Sequence, residues 1–305
     1  MTVDRRTVLR TTVKLAALAS AGGLLTACGD TGRRRADPGS FAVRPGPVDP
    51  SGTVDPAWPA GEGPASPAPS ASAPPSDGPA PDGSAARAAA ASAPPVPPVL
   101  PPLAAGTPFE VAYGPRTGRN VALTCHGSGD PALATALLET AEKRGVGLTV
   151  MVVGSWLDQQ PQMARRILDG GHELGNHTQN HQNISAMSPD RARDEIAQCA
   201  ERLQRLTGSI GRWFRPSAAQ YATPMVREQA RAVGYEHVLA FDVDPRDYAD
   251  PTAAELQRRV LNSVRGGSVV ALHLGHRCTV DALPGILDGL AKAGLTPVTA
   301  SRLCA

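Results

Sequence analysis

The chain has 305 residues, with 30 Lys and Arg against 28 Asp and Glu, a formal net charge of +2 and only 4% aromatic residues. Acids and bases are interspersed and no basic stripe is interleaved with aromatics, which argues against a nucleic-acid groove or another polyanion surface. From about Thr31 to Gly106 the sequence is dominated by Pro, Ala, Ser and Gly, with Phe41 and Trp58 as its only aromatics, so it lacks the apolar surface to offset its ordering entropy; the remaining about 200 residues suffice for one sizeable core.

At the N-terminus, Asp4-Arg5-Arg6-Thr7-Val8-Leu9-Arg10 precedes the apolar stretch Leu15 to Leu25, which is too short for a mature bilayer span. The paired arginines resemble a twin-arginine export signal, and Leu25-Thr26-Ala27-Cys28 resembles a bacterial lipobox. The reading is a lipoprotein signal peptide over 1–28 with a lipid anchor at Cys28, a disordered linker over 29–106 and a single domain over 107–305. It places the protein on the outer face of the cytoplasmic membrane, or secreted to the cell wall; an ordinary secretory signal with an incidental cysteine gives the same export. Outside the cytoplasm disulfides are feasible, and of the three pairings open to Cys125, Cys199, Cys278 and Cys304, the one expected is Cys278 with Cys304, near the ends of the last elements.

From Asn120 onward, short β-rich runs alternate with amphipathic helical ones. Asn120 to Cys125 is the first strand, and Asp130-Pro131 supplies an N-cap and N1 proline for a helix that Gly145 stops. Leu148 to Val153 is almost continuously apolar, the mark of a strand buried on both faces. Then come a helix about Pro161 to Asp169, a strand at His172 to Leu174, and a helix from Ser188-Pro189 to Gly208. Further strands fall around Arg212 to Arg215, Glu236 to Phe241, Ser268 to His273 and Thr296 to Thr299, separated by helices about Thr223 to Val233, Pro251 to Val264 and Val280 to Ala293. Strict β/α alternation predicts an α/β fold with a parallel sheet, closed as a barrel or open and doubly wound.

In either form the reactive groups come from loops at the C-terminal ends of strands. His126, Arg215 and His273 end strands, His177 and His181 follow one, and Asp242, Asp244 and Asp247 follow another. Residues distant in sequence are thereby expected at one mouth. In Gly175-Asn176-His177-Thr178-Gln179-Asn180-His181 the two histidines are spaced to meet one ion on a helical turn, and imidazole suits zinc or a similar divalent metal. His276 is expected at the rim, and His172 and His237 in structural roles.

These motifs resemble the polysaccharide deacetylases of carbohydrate esterase family 4, the NodB-homology domain, over about Val121 to Thr299. The resemblance implies a partial (β/α)7 barrel with parallel strands, a bound divalent metal, usually zinc, and hydrolysis of N-acetyl or O-acetyl groups on glycans. The family's H-[ST]-x-x-H is matched in full by His177-Thr178-Gln179-Asn180-His181, which carries metal ligation to both histidines. R-x-P-[YF] is matched in part by Arg215-Pro216-Ser217, implying that Arg215 fixes the acid-base groups. Asp244-Pro245-Arg246-Asp247-Tyr248 is close to D-x-x-D-W, so Asp244 or Asp247 is expected to orient a histidine. Leu272-His273 matches the motif whose histidine protonates the leaving amine.

The first family motif, T-F-D-D-G-P, is where the sequence departs, reading Thr124-Cys125-His126-Gly127-Ser128-Gly129 and then Asp130-Pro131. Aligned without a gap, His126 takes the place of the catalytic base and the second carboxylate position is vacant. Asp130 has two readings: a third metal ligand brought back by the glycine-rich loop, or the N-cap of the next helix. The expected mechanism has His177, His181 and Asp130 holding the metal, His126 as base and His273 as acid.

The expected partner is a polysaccharide or amino-sugar glycan such as peptidoglycan, reached from the membrane by a linker of about 75 residues that extends to at most about 230 Å. Two alternatives stand beside it: a related amide hydrolase of small substrates, and a wall-bound glycan-binding protein without catalysis. Trp156 and Trp213 are candidate sugar platforms, though aromatics in such runs are more often core.

Overall fold

The computed structural model describes residues 99–305. The export-signal motif, Cys28 and the linker as far as residue 98 lie outside the described residues. The strands are β1 (Glu110–Val111), β2 (Asn120–Gly127), β3 (Thr149–Val152), β4 (Glu173–Asn176), β5 (Trp213–Phe214), β6 (His237–Leu239), β7 (Val269–His273) and β8 (Thr296–Val298). The helices are α1 (Pro131–Glu142), α2 (Gly154–Gln159), α3 (Gln162–Asp169), α4 (Pro189–Thr207), α5 (Pro224–Val233), α6 (Ala253–Ser263), α7 (Arg277–Lys292) and α8 (Ala300–Leu303). The expected alternation is present; β1, α2 and α8 are additional to it.

All ladders are parallel, in the order β1-β6-β5-β4-β3-β2-β7, with β8 paired to the start of β2. The curved sheet is completed by a bridge between Val243 and Val270 instead of a full ladder, which makes the barrel partial. Strand alternation sorts side chains between the helix-facing and inner sides of the sheet, and a third cluster joins Phe214 and Val238 to Ile196 of α4 and Val226 of α5. Leu123, Cys125, Val150 and Val152 pack outward against α1 and α7 residues such as Leu137, Leu138 and Ile286. Ala122, Met151, Trp213, Leu239 and Ala271 pack on the inner side.

The helices start where the sequence places caps. Asp130 accepts from the Ala132 N–H ahead of α1, Thr223 from Val226 ahead of α5, and Thr252 forms a reciprocal box with Glu255 ahead of α6; such caps are each worth about 1 kcal/mol. Gly208 and Gly234, at φ 77° and 111°, end α4 and α5 in the left-handed conformation.

At the floor, where the strands begin, the buried Glu173 carboxylate meets Trp213 Nε1 at 3.0 Å, the Ser301 N–H at 3.0 Å and the Ser301 hydroxyl. Burial raises its pKa above the usual carboxylate value. The packed chain begins earlier than residue 107: Arg212 Nη1 donates to Pro101 O at 2.6 Å and the Ala104 N–H to Cys304 O at 2.8 Å. The expected Cys278–Cys304 disulfide is not formed. Cys125, Cys199, Cys278 and Cys304 are all free thiols, Cys304 on this floor and Cys278 at the opposite end, against Asp247 O.

Candidate active site

The β2–β7 register places His126 directly beside His273 at the C-terminal ends of the strands. By alternation His126 shares the inner face with Thr124, while Cys125 and Gly127 face the helices. His126 is 5% exposed, and each of its ring nitrogens meets a neighbour: Nδ1 lies 2.8 Å from His273 Nε2, and Nε2 lies 3.2 Å from Arg215 Nη1.

These bonds follow one direction. Asp247, fully buried, accepts from His273 Nδ1–H at 2.7 Å, which leaves His273 Nε2 with a lone pair in the neutral ring. That lone pair takes the proton on His126 Nδ1, and His126 Nε2 then accepts from Arg215. Tautomers are thus assigned from the network, as an Arg donor at one end and a carboxylate acceptor at the other leave this one consistent arrangement.

Arg215 is fully buried and braced by Leu239 O at 2.7 Å, Thr124 Oγ1 at 2.9 Å and Ala240 O at 3.3 Å. Burial draws its pKa down to about 9. The His126 pKa lies well below the ordinary histidine value, first through burial, then through the neighbouring His177, His273 and Arg215. Arg215 thus contributes to keeping His126 neutral, but burial contributes more.

His177 and His181 converge through a loop and not through the expected helical turn. Thr178 and His181 adopt left-handed backbone, φ 69° and 56°, a conformation that costs non-glycine residues energy and persists where surroundings enforce it. Here Asn176 Oδ1 accepts from the Thr178 N–H at 2.8 Å, and Glu195 receives the Asn180 N–H at 2.8 Å and its side-chain amide at 2.7 Å. His177 Nδ1 donates to Arg215 O at 3.0 Å, so in the neutral ring Nε2 carries the lone pair. It faces His181 Nε2 at 3.1 Å, and the His126 ring stacks on His177 with centroids 4.4 Å apart. Burial is the main cause that lowers His177 well below the usual value and His181 to about 4.

Two neutral imidazole nitrogens aimed at each other, one oriented from behind by a carbonyl, fit a divalent cation held by two donors. They do not fit the three-donor set expected with Asp130. Among the described residues, no group of three or more His, Cys, Asp or Glu is arranged to hold a metal ion. Asp130 is exposed and its Oδ1 is engaged by the Ala132 N–H at 2.8 Å as the α1 cap.

The glycine loop does not fold back. Gly129, at φ 95°, lies so close to the loop after β7 that a Cβ on it would be 2.6 Å from Gly275 Cα, and Trp156 Nε1 fastens Gly129 O at 2.8 Å. At Gly127, the vacant carboxylate position, a Cβ would meet Val150 Cγ1 at 2.8 Å and Val152 Cγ1 at 3.0 Å.

Of the two acids considered for His273, Asp247 receives its Nδ1, while Asp244 accepts from the Arg246 N–H at 2.9 Å. Asp242 belongs to the floor side, with Arg116 at 2.7 Å. His276 pairs with Asp250 at the rim, and His172 and His237 bond Leu148 N and Pro108 O away from the mouth. Trp156 is 6% exposed and Trp213 0%, so both are core residues and not sugar platforms. Sequence reading missed Thr124, Asn176 and Thr279, which hold Arg215, the histidine loop and Asp247 respectively. Thr124 and Asn176 do stand within or beside the motifs, which is the signal available for them.

Residues 114–238 match the polysaccharide deacetylase family model. A peptidoglycan-N-acetylglucosamine deacetylase of Bacillus cereus is 30% identical over 193 residues, covering 62% of this chain and 90% of that protein. Among solved structures, a peptidoglycan N-acetylglucosamine deacetylase superposes with a TM-score of 0.60 at 26% identity, covering 65% of this chain and 96% of the other. A family 4 carbohydrate esterase pseudoenzyme from Bacillus anthracis shares the fold with a TM-score of 0.62 at 24% identity, covering 65% of this chain and 70% of the other.

Proposed function

Because the chain belongs to the polysaccharide deacetylase family, whose enzymes act on carbon-nitrogen bonds other than peptide bonds, we propose that it removes acetyl groups, N-acetyl foremost, from an envelope glycan such as peptidoglycan. The observation that carries this reading is the buried His273–Asp247 pair at 2.7 Å, at the same mouth as the His177–His181 pair.

In this reading His273 delivers the proton to the leaving nitrogen. Its neutral ring holds the proton on Nδ1 against Asp247, so donation from Nε2 requires that nitrogen to be protonated first. His126 stands where the family has its base, and Nε2, facing Arg215, is its basic atom. Arg215 fixes that ring's orientation and Thr124 fixes Arg215. Asp244 remains at the rim of the same turn and is assigned no proton.

Members of the family are generally metal-dependent. Here His177 and His181 would hold a divalent cation of the zinc type by two imidazoles, with water in place of Asp130. Such a cation, when bound, polarises the acetyl carbonyl and acidifies water. The substrate places the protein in the envelope, and the lipid anchor at Cys28 would keep it within reach of the wall.

A second reading, a glycan-binding wall protein without turnover, is favoured by the absence of a third donor among the described residues, because catalytic zinc sites ordinarily have three protein ligands. The test is acetate release from N-acetylglucosamine oligomers and from peptidoglycan with zinc present, beside calorimetric binding of the same oligomers. Release that disappears in His273→Ala supports the deacetylase; binding without release in the wild type overturns it in favour of the second reading.

A further inference from the structure

Asp247 is gripped by more than the histidine it serves. Its Oδ1 receives His273 Nδ1–H at 2.7 Å, and its Oδ2 receives both the His273 backbone N–H and the Thr279 hydroxyl, each at 2.7 Å. Its main-chain oxygen is met by Cys278 Sγ at 3.3 Å and by the Asp250 N–H at 2.9 Å. The first turn of α7 therefore holds both the backbone and the side chain of this residue.

The two His273 bonds come from one residue at the end of β7 and move with it. Thr279 alone among these carboxylate donors belongs to another element, α7, and it is fully buried. Its hydroxyl is enclosed in the packed first turn of the helix and already engaged to Oδ2, which makes it a fixed point and not a mobile one. A carboxylate free to turn about its Cβ–Cγ bond would offer His273 Nδ1 a varying oxygen at a varying angle. Pinning Oδ2 from α7 leaves Oδ1 in line with Nδ1.

We propose that Thr279 is a positioning residue for the His273–Asp247 pair, its hydroxyl fixing the carboxylate so that the histidine keeps the orientation and tautomer needed to hand on a proton. The inference rests on the reading of His273 as the proton donor. It draws on no cation: the Thr279 hydroxyl donates to Asp247 Oδ2.

The test compares full-length wild type, Thr279→Val, Thr279→Ser and Thr279→Ala. Valine keeps the shape without the hydroxyl, serine keeps the hydroxyl, and alanine serves where valine fails to fold. Loss of a hydrogen bond to a charged group predicts a fall in kcat of about tenfold or more in Thr279→Val, with KM nearly unchanged and activity largely kept in Thr279→Ser. The second readout needs no turnover: in protein with 15N-labelled histidine, the deshielded His273 Nδ1 proton shifts or broadens in the valine or alanine variant and keeps its place in the serine variant. Wild-type kcat together with an unmoved His273 signal in folded Thr279→Val overturns the proposal. If the wild type itself releases no acetate, the deacetylase reading fails and the His273 signal alone decides the role of Thr279.

Discussion

Restoring a carboxylate at Gly127, the vacant position of the first motif, is expected to cost stability without building a metal site. A Cβ there would stand 2.8 Å from Val150 Cγ1, 3.0 Å from Val152 Cγ1 and 3.1 Å from Val152 Cα. The last is backbone of the paired strand, in register with Gly127 itself, so a rotamer change in the valines does not relieve it. Overpacking of this kind costs about 1–3 kcal/mol, and burying a charge beside two valines adds to it. In a domain of about 200 residues each kcal/mol moves Tm by about 2–4 °C, so Gly127→Asp should melt roughly 2–12 °C below wild type. Its side chain leaves on the helix-facing side with Cys125, away from His177, so zinc affinity by calorimetry should not rise. His126→Asp, on the inner face against His177, is the contrasting arm in which affinity should rise. Gly127→Asp with wild-type Tm and markedly tighter zinc binding would refute the reasoning from strand alternation.

Three further outcomes are expected. His273→Ala and Asp247→Asn should each lower acetate release by about 10²–10⁴-fold, the usual span of general acid-base contributions, with circular dichroism confirming the fold. In metal-free buffer, stability should fall as pH drops below the unfolded histidine value of 6.5 and continue to fall toward about 4, where the buried His181 titrates; the unfolded chain binds more protons across that window, so a urea midpoint that is flat from pH 7 to pH 4.5 would count against buried neutral histidines. Denaturing alkylation without reductant should label Cys125, Cys199, Cys278 and Cys304, all of them free, whereas in the native state only the half-buried Cys278 should react at an appreciable rate.

The strands and helices were legible where local signals agreed with burial. Val269–His273 is an unbroken apolar run ended by its histidine, and Asp130-Pro131 and Thr223-Pro224 announce α1 and α5 by cap chemistry. β1 was not legible, because it spans two residues of which one is Glu110, buried and paired with Arg227. His177 and His181 could be found from their spacing, but their convergence depends on two left-handed residues that no spacing rule indicates. Asp130 illustrates the reverse case. Its sequence context supported two roles, the metal role slightly ahead, and the structure has its Oδ1 on the Ala132 N–H with Gly129 packed against Gly275, residues far apart in the chain. Thr279 was invisible for the same reason, since its partner lies on a different loop.

The clamp of Pro101 and Ala104 on the floor has a mechanical consequence. A pull applied to the chain ahead of residue 99 is taken up by Arg212 and the carbonyl of Cys304, at the starting ends of the strands. The histidine loop and the turn that carries Asp247 stand at the other ends of the strands. The entry of the chain and the reactive mouth therefore occupy opposite ends of the same strands.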